Sequence, residues 1–376
     1  MISTPNTTGC NKKESMFSNS SNYRFAILAI NTGSTSTKLA VYHDREVELE
    51  ISLSHTAEQL AQFATVEEQL EWRRELILSS LNEHGVDMES LSTVIGRGGL
   101  LRPLESGVYE VSEAMCDELR NCTPQHASNF SAIISLAIAR QLGIKAYIAD
   151  PVVVDEFAPV AKLTGIKEIQ RRSIFHALNQ KATARLYASD IESKYEELNL
   201  IVAHMGGGVS VAAHKKGRVI DCNNALDGEG PIAPERAGSI PAGQLVDLCF
   251  SGKYTHKEVR SMLSGKGGLM SLTGSNSVKD LVAQAEAGNQ EIKLAIDCMI
   301  YGVVKNIGQM ATVLRGDIDA IVLTGGIAHS KYITNAIIDA CHFLAPVAIY
   351  PGENELESLA MNALRLLNGE TEAKIY

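Results

Sequence analysis

The sequence predicts an α/β fold in two domains, and three observations support this prediction. Its 376 residues exceed the roughly 250 to 300 at which a single hydrophobic core usually stops growing. Apolar runs of strand length alternate with segments of helical periodicity in both halves of the chain. One strand–turn–strand pattern occurs near the start and again near the middle, which favours an internal duplication. We place the first domain at 24–195 and the second at 196–376, and we expect the final helix to pack back on the first.

The first domain is predicted to open with a β-hairpin, in which apolar runs at 25–30 and 39–42 flank the polar turn 31–38. Two helices and a strand follow it, at 128–142, 174–187 and 146–149. The earlier helix ends at Gly143, which suits the position after a helix C-terminus. The strand carries Asp150 at its carboxyl end.

The second domain repeats this opening. We predict strands on either side of a glycine turn and after it, at 198–203, 209–213 and 219–221. Several helical patterns lie between 244 and 314, with a long one at 292–314. A buried strand at 318–323 is followed by helical spacing from Tyr332 onward. Parallel sheets covered by helices on both faces produce this alternation.

Composition and charge exclude several classes of protein. Hydrophobic residues make up 45% and charged residues 21% of the chain, which is typical of a globular protein. The net charge is −10, so we expect no nucleic-acid partner, because such binding depends on clustered lysines and arginines. No apolar stretch has the roughly 18 to 20 residues of a membrane span. The 7 cysteines form no Cys-x-x-Cys pair, which favours reduced thiols and a cytoplasmic location.

The first residues of the chain, 1–23, are rich in serine, asparagine and threonine and lack the apolar core of a signal peptide. We expect them to form a disordered tail. Met16 is an alternative to Met1 as the true start.

Three turns after predicted strands could hold phosphate groups through backbone N–H groups and hydroxyls. The first contains Asn31, Ser34, Ser36 and Lys38, and its alternative interpretation is an ordinary polar hairpin. The second contains Gly206, Gly207 and Gly208, which admit close approach of a ligand or form a bulge. The third contains Gly325 and Gly326. The chain lacks a P-loop, a Gly-x-Gly-x-x-Gly helix start, a His-Glu-x-x-His motif and a nucleophile elbow.

Several charged residues are candidates for chemistry. Arg97 and Arg236 each lie among small residues, so their guanidinium groups could reach a carboxylate or phosphate, or form ordinary ion pairs. Asp150 follows a strand where α/β folds place reactive groups, although it could simply cap a turn. Glu355 could ligate Mg²⁺, but acids are also common at helix N-termini. Three histidines adjoin turns or glycines, where lone histidines are more often structural: His126, His176 and His204.

In this order, the motifs resemble those of the acetokinase family, within the superfamily of acetate and sugar kinases, chaperone ATPases and actin. The resemblance extends from about 25 to 370 and is most specific at 31–38, 171–176, 204–208 and 324–327. It implies two domains of duplicated βββαβαβα topology, ribonuclease H-like and actin-type, with an interdomain cleft where ATP and a carboxylate substrate meet. It also implies Mg²⁺ as cofactor and a homodimer or higher homo-oligomer.

The resemblance also implies roles for individual residues. Arg97 and Arg236 would hold the carboxylate and the transferring phosphoryl group, which His176 would stabilise. Asp150 would act near the attacking carboxylate. Asn31 and Glu355 would position Mg²⁺. The remaining substrate or phosphate positions would be Ser34, Ser36, Lys38, His126 and Gly99, and the remaining nucleotide positions His204, Gly206, Gly207, Gly208, Gly325 and Gly326.

The chain departs from the pattern of acetate kinases at two places, of which the first concerns phosphate contact and the second the substrate. Gly207 stands where those enzymes carry an asparagine, so phosphate contact there must come from backbone N–H groups. Gly98-Gly99 replaces bulky β-branched residues and is expected to deepen the acyl pocket, which favours butyrate. Isobutyrate, propionate and acetate are the alternative acids. A nucleotide-gated binding ATPase would need a peptide-binding domain beyond Tyr376, and a phosphatase or sugar kinase would lack the two arginines.

Overall fold

The computed structural model describes residues 23–122 and 126–376. The predicted tail, apart from Tyr23, and the choice between Met1 and Met16 lie outside the described residues. The described strands are β1 (Ala26–Thr32), β2 (Ser36–His43), β3 (Glu46–Ser54), β4 (Thr93–Arg97), β5 (Val108–Glu110), β6 (Lys145–Ala149), β7 (Asn199–Met205), β8 (Val209–Lys215), β9 (Arg218–Cys222), β10 (Ala320–Gly325) and β11 (Val347–Pro351).

The described helices are α1 (Ala57–Leu60), α2 (Val66–Glu83), α3 (Glu113–Asn121), α4 (Asn129–Leu142), α5 (Pro159–Lys162), α6 (Ala177–Asp190), α7 (Ala242–Phe250), α8 (His256–Leu263), α9 (Leu269–Thr273), α10 (Val278–Glu286), α11 (Gln290–Val313), α12 (Lys331–Cys341) and α13 (Glu355–Leu367). Short 3₁₀ turns lie at Met88–Ser90, Tyr195–Glu197 and Gly326–His329. None of the helices within the described ranges is long and apolar enough to cross a membrane.

The chain divides into two compact units. The first contains the described residues up to Leu101, together with Gly107–Pro151 and Glu355–Tyr376, and the second contains Arg102–Ser106 and Val152–Asn354. This division differs from the predicted boundary between 195 and 196, because α6 packs against β7 and β10 of the second unit. The final helix, α13, packs against β1 and β4 in the first unit.

Each unit contains the same five-strand arrangement. The first sheet has the order β3-β2-β1-β4-β6-β5 and the second the order β11-β10-β7-β8-β9. In both sheets an antiparallel meander of three strands is followed by two strands parallel to its first strand, while β5 adds an antiparallel edge to the first sheet. The predicted α/β class and the duplication of the topology are therefore confirmed.

Burial explains why the central strands appear in the sequence as unbroken apolar runs. Every residue of β1, β7 and β10 is buried. Helices α4 and α13 pack on β1, and α6 and α11 pack on β7, so neither face of these strands requires polar side chains. Apolar burial of this kind contributes about 25 cal/mol per Å² removed from water.

The structure corrects two of the predicted limits. The helix predicted at 174–187 begins at Ala177, because the carbonyl of Ile174 accepts a hydrogen bond from the N–H of Ala225 at 3.0 Å instead of one within the helix. The polar turn predicted at 31–38 is shorter, since Asn31 and Lys38 are paired residues of β1 and β2. Gly143, in contrast, ends α4 as predicted, with φ of 67°.

Candidate active site

The first candidate turn is a tight hairpin that joins β1 to β2. The N–H of Gly33 donates to the carbonyl of Ser36 at 2.8 Å, so only residues 33–35 lie outside the strands. The side chain of Ser34 is exposed, whereas Asn31 is 7% exposed. Lys38 is exposed and lies opposite Asn31 in the register. The turn therefore presents a hydroxyl and backbone groups to solvent above a buried amide.

Arg73, which the sequence did not single out, supports this turn from inside the unit. Its side chain is fully buried, and its guanidinium donates to the carbonyl oxygens of Ser34 at 3.3 Å and Ser36 at 3.1 Å. A third bond reaches the hydroxyl of Thr37 at 2.9 Å. Burial lowers the pKa of Arg73 to about 10, so it stays charged at neutral pH. Within the described residues it forms no ion pair, so it adds positive potential beneath the turn.

The pKa of the neighbouring His55 is affected by its burial and by the charge of Arg73. Nε2 of His55 lies 2.9 Å from the hydroxyl of Thr37, which already accepts a hydrogen bond from Arg73. The hydroxyl can donate its own proton to Nε2 of His55 when that nitrogen carries no hydrogen. Burial and then the charge of Arg73 lower the pKa of His55 to about 4. The neutral imidazole is the form that fits.

We expect the first unit to lose stability as the pH falls from 6.5 toward 4. The unfolded state binds a proton at His55 near its ordinary pKa of 6.5, whereas the folded state does so only near pH 4. The contribution of His55 to the free energy of unfolding is therefore fully present above about pH 6.5, and about 1–2 kcal/mol of it is lost by pH 5. Urea unfolding followed by the fluorescence of Trp72, whose ring contacts His55 at 4.8 Å, measures this change.

The control for this prediction is His256, which is exposed on α8. His55→Gln removes the titrating group, so the stability of that variant should depend less on pH than that of the wild type. His256→Gln should retain the full dependence. An equal loss in both variants between pH 7.5 and 5 contradicts the assignment of the effect to His55.

Asn31, Arg97 and Glu355 meet in the first unit. The carboxyl ends of β1 and β4 are adjacent because these strands are parallel neighbours, and α13 begins beside them at Glu355. The side-chain N–H of Asn31 donates to Oε2 of Glu355. Nη1 of Arg97 lies 3.2 Å from each oxygen of the same carboxylate. Oδ1 of Asn31 is buried and has no hydrogen-bond partner among the described residues.

This cluster can be tested for Mg²⁺ by its donor atoms. Mg²⁺ prefers hard oxygen ligands and usually keeps waters and substrate phosphates alongside one or two protein groups. The unpartnered Oδ1 of Asn31 and the carboxylate of Glu355 are such groups. Within the described ranges no set of three or more histidine, cysteine, aspartate or glutamate side chains could hold a metal by itself. These residues fit a Mg²⁺ ion that binds together with the phosphates of the nucleotide, and the two protein groups would supply part of its coordination.

Asp150 is held in an unusual backbone conformation at the end of β6. Its φ is 39°, which is uncommon for a residue other than glycine. It is 1% exposed, and its Oδ1 accepts the N–H of Gly107 at 2.9 Å while its own N–H donates to the carbonyl of Gly107 at 3.1 Å. The carboxylate therefore does cap the neighbouring segment, as the structural interpretation expects. Local strain of this type is often found at functional sites.

Gly98 and Gly99 admit close packing after β4. A Cβ at Gly98 would lie 2.4 Å from Cβ of Pro151, and one at Gly99 would lie 2.2 Å from Oδ1 of Asn129. This is a different reason for glycine from the deeper acyl pocket expected from the sequence, which stays a prediction. His126, nearby in the chain, has its Nδ1 2.8 Å from the hydroxyl of Ser128.

In the second unit, the rings of His176 and His204 stack at 3.8 Å between centroids, with an interplanar angle of 13°. His176 directly precedes α6, and His204 belongs to β7. Nδ1 of the buried His204 lies 2.7 Å from Oδ1 of Asn179, and its Nε2 lies 3.4 Å from the carboxylate of Glu353. Helix α6 and strand β7 thus bring the two predicted histidines together.

The glycine turn 206–208 lies beside this pair. The N–H of Gly206 donates to the carbonyl of Gly208 at 2.9 Å. A Cβ at Gly206 would lie 3.1 Å from Nε2 of His204, and one at Gly208 would lie 3.5 Å from Cε1 of His176. At Gly207 a Cβ would meet nothing within 4 Å, so that position is open. The backbone of the turn is therefore close to both imidazoles.

The third turn also requires one of its two glycines. Gly325 has a φ of 88°, and a Cβ there would lie 2.4 Å from the carbonyl oxygen of Met205 at the end of β7. Gly326 has open space beside it. The close approach places the end of β10 directly next to the end of β7.

Arg236 contrasts with Arg97 in its contacts. The N–H of Ala233 donates to the carbonyl of Arg236 at 3.0 Å, which holds its backbone. Its Nη1 reaches the adjacent Glu235, at 3.3 Å from the carbonyl and 3.5 Å from the carboxylate. Its Nε is buried, and no described residue bonds it. The guanidinium is thus less neutralised than that of Arg97.

The structure brings seven of the predicted site residues together, three in the first unit and four in the second, and sequence reasoning missed several residues that support them. The first cluster contains Asn31, Arg97 and Glu355, and the second contains His176, His204, Gly206 and Gly208. The missed residues are Arg73, which bonds the first turn, and Asn179 and Glu353, which contact His204. Two more are Ser210, whose hydroxyl lies 2.8 Å from Nδ1 of His176, and Gln180, whose amide bonds that hydroxyl. Asn179 and Gln180 lie three and four residues after His176, which is one helical turn, and this spacing is a signal that the sequence contains.

Comparison with known proteins gives consistent results. Residues 160–363 match the model of the Acetokinase family. The chain is 49% identical over 353 residues to Butyrate kinase 1 of Clostridium acetobutylicum, covering 94% of this chain and 99% of that protein. It is 51% identical over 350 residues to a probable butyrate kinase of Phocaeicola vulgatus, covering 93% and 99% respectively. The similarity thus extends well beyond the predicted motifs.

A solved structure supports the fold. The crystal structure of Porphyromonas gingivalis acetate kinase matches with a TM-score of 0.76, covering 91% of this chain and 100% of that chain at 17% identity. At such low identity the likeness concerns the fold alone, and it confirms the predicted actin-type topology.

Proposed function

This chain belongs to the acetokinase family, and we propose that it transfers a phosphoryl group reversibly between ATP and the carboxylate of butyrate, giving butyryl phosphate and ADP. The observation that carries this proposal is the near-full-length similarity to proteins named butyrate kinase, at 49% and 51% identity. The contacts of the two residue clusters agree with the chemistry that such a reaction requires.

In phosphoryl transfer the protein mainly aligns the two substrates and neutralises their charge, and it contributes little covalent chemistry. The carboxylate of the acid is already an anion at neutral pH, so it needs no strong general base. We therefore assign Asp150 to positioning the acid and its surroundings. Arg97 and Arg236 would neutralise the carboxylate and the phosphoryl oxygens, because a guanidinium matches both groups.

Mg²⁺ would neutralise charge on the nucleotide phosphates. Oδ1 of Asn31 and the carboxylate of Glu355 are the groups that would hold it. Arg97 already bonds this carboxylate, which fixes its orientation. The hydroxyls of Ser34 and Ser36, with the backbone of the turn over Arg73, would bind phosphate oxygens, and Lys38 would add a positive charge nearby.

In the second unit, His176 would donate a hydrogen bond to the transferring phosphoryl group. The ring of His204 stacks against it at 3.8 Å between centroids. The open backbone at Gly207 and the turn at Gly325-Gly326 would face the nucleotide. A donor that is already oriented costs little reorganisation during the reaction, which is why such groups accelerate it.

The test is a hydroxylamine trap for acyl phosphate, with purified protein, Mg-ATP and acetate, propionate, butyrate, isobutyrate or valerate. We expect the highest rate with butyrate and lower rates with neighbouring acids. Each methylene contributes about 0.8 kcal/mol on burial, or roughly fourfold, so neighbours should still react. Product formation should also disappear when Mg²⁺ is chelated.

A maximum with isobutyrate would retain the reaction and change the preferred acid. If no acid gives acyl phosphate and ATP hydrolysis is slow and independent of acid, the kinase proposal fails and a nucleotide-gated binding protein becomes the better interpretation.

A further inference from the structure

A continuous line of buried hydrogen bonds lies behind His176 in the second unit. Nδ1 of His176 is 2.8 Å from Oγ of Ser210, which is 2.8 Å from Nε2 of Gln180. Oε1 of Gln180 is 2.9 Å from Nε2 of His214, and Nδ1 of His214 is 2.7 Å from the hydroxyl of Tyr195. The four residues behind His176 are at most 2% exposed. We call this line the Tyr195–Ser210 relay.

The orientation of Gln180 is determined by one backbone group. Its Nε2 lies 3.0 Å from the carbonyl oxygen of Ser210, which can only accept a hydrogen bond. The amide nitrogen must therefore be at this end of the side chain, and Oε1 must face His214. Because Oε1 can only accept, Nε2 of His214 carries a hydrogen.

His214 is neutral, and its neutral state determines that Nδ1 carries no hydrogen. Burial, and then the positive charges of Lys181 and Arg185, hold the pKa of His214 well below its ordinary value. A neutral imidazole has a single N–H, which Gln180 already receives. Nδ1 of His214 therefore accepts the hydrogen bond, and the hydroxyl of Tyr195 donates it.

The last bond of the relay, between Ser210 and His176, also has a defined donor. The hydroxyl of Ser210 accepts an N–H from Gln180, so its own proton needs another acceptor. Among its contacts within the described residues, the one group able to accept is Nδ1 of His176. A proton on that nitrogen would leave the Ser210 proton without an acceptor in a buried site, which costs about 1–3 kcal/mol.

We propose that the Tyr195–Ser210 relay keeps His176 in the tautomer that carries its hydrogen on Nε2. All four bonds run in one direction, from the hydroxyl of Tyr195 to Nδ1 of His176. Under the proposed function, Nε2–H of His176 is the group that donates to the phosphoryl group. Ser210, Gln180, His214 and Tyr195 are positioning residues, and none of them needs to touch substrate. Groups that orient a catalytic imidazole in this way often affect activity 10- to 100-fold.

The test reads the tautomer directly by long-range ¹H–¹⁵N correlation on full-length protein labelled with ¹⁵N-histidine, with His176 assigned by its absence in His176→Asn. In the wild type we expect a protonated-type shift at Nε2 and an unprotonated-type shift at Nδ1. Ser210→Ala removes the donor, so both nitrogens should move toward averaged shifts. In the trap assay kcat should fall about 10- to 100-fold while the KM for ATP and butyrate changes little.

Ser135→Ala is the matched control, because the hydroxyl of Ser135 is equally buried but has no hydrogen-bond partner. It should leave the His176 shifts and kcat unchanged. A wild-type His176 protonated at Nδ1, or shifts unaffected by Ser210→Ala, overturns the proposal. The spectrum needs no substrate, so a protein that shows the expected tautomer but forms no acyl phosphate would refute the proposed function and leave the relay intact.

Discussion

Arg236→Ala is expected to lower kcat for acyl phosphate formation by about 10³-fold or more, because one arginine on the charge that develops during phosphoryl transfer is worth about 10³ to 10⁵ in rate. Its folding should be unaffected, since in the part of the chain that the structure describes the side chain bonds the adjacent Glu235 alone. The measurement is kcat from the hydroxylamine trap together with the Tm of each variant.

Arg260 in the same unit provides the control. Its side chain is 52% exposed and pairs with Asp227 at 2.6 Å. Arg260→Ala should change neither kcat nor Tm measurably, because exposed ion pairs contribute little. Arg236→Lys keeps the charge but loses the two-pronged guanidinium, so it should lie between the wild type and the alanine variant. A kcat for Arg236→Ala within tenfold of the wild type would remove Arg236 from the proposed mechanism.

Arg97 is the less informative arginine to remove first. Its guanidinium bonds both oxygens of Glu355, and Glu355 in turn accepts from Asn31. Arg97→Ala would therefore release the carboxylate proposed to hold Mg²⁺ as well as remove a positive charge. A loss of activity in that variant could not be assigned to one of the two effects.

Those parts of the fold that are buried on both faces could be predicted from the sequence. The strands β1 and β7 are continuous apolar runs because helices cover both of their faces, and every residue of β10 is likewise buried. The edge strand β3 was missed, since every residue in it is at least partly exposed and the strand contains three glutamates. The three-residue strand β5 is too short to show a pattern.

Candidate site residues could be predicted where the chemistry is local in the chain. The glycine turn beside His204 is an example, because the unusual composition itself indicates a close approach. Arg73 and Ser210 could not be found in this way. Arg73 acts because folding places α2 under a turn 37 residues earlier, and Ser210 acts because β8 faces the start of α6. In a single sequence nothing distinguishes them from other arginines and serines.

Lys181→Met is expected to destabilise the second unit by about 3–5 kcal/mol, the usual cost of leaving one partner of a buried ion pair unpaired. Nζ of Lys181 lies 2.8 Å from Oε2 of Glu156, and the two side chains are 1% and 5% exposed. Glu156 also accepts the N–H of Val219 at 2.9 Å, so the pair ties α6 to β9. Calorimetry and hydrogen exchange in peptides from α6 and β9 measure this loss. Tryptophan fluorescence is unsuitable, because Trp72 lies in the first unit.

The double variant Lys181→Met/Glu156→Gln separates the ion pair from its surroundings. It removes both charges and keeps an acceptor for the N–H of Val219, so it should be more stable than Lys181→Met alone. In a double-mutant cycle, the interaction free energy between Lys181 and Glu156 should be favourable by several kcal/mol. The exposed pair of Lys293 and Asp297 is the matched control, at 2.5 Å with 44% and 43% exposure. Lys293→Met should cost about 0.5 kcal/mol or less. If Lys181→Met costs no more than Lys293→Met, the buried pair does not stabilise α6, and the position of His176 at the start of that helix must depend on the Tyr195–Ser210 relay and on its stacking with His204.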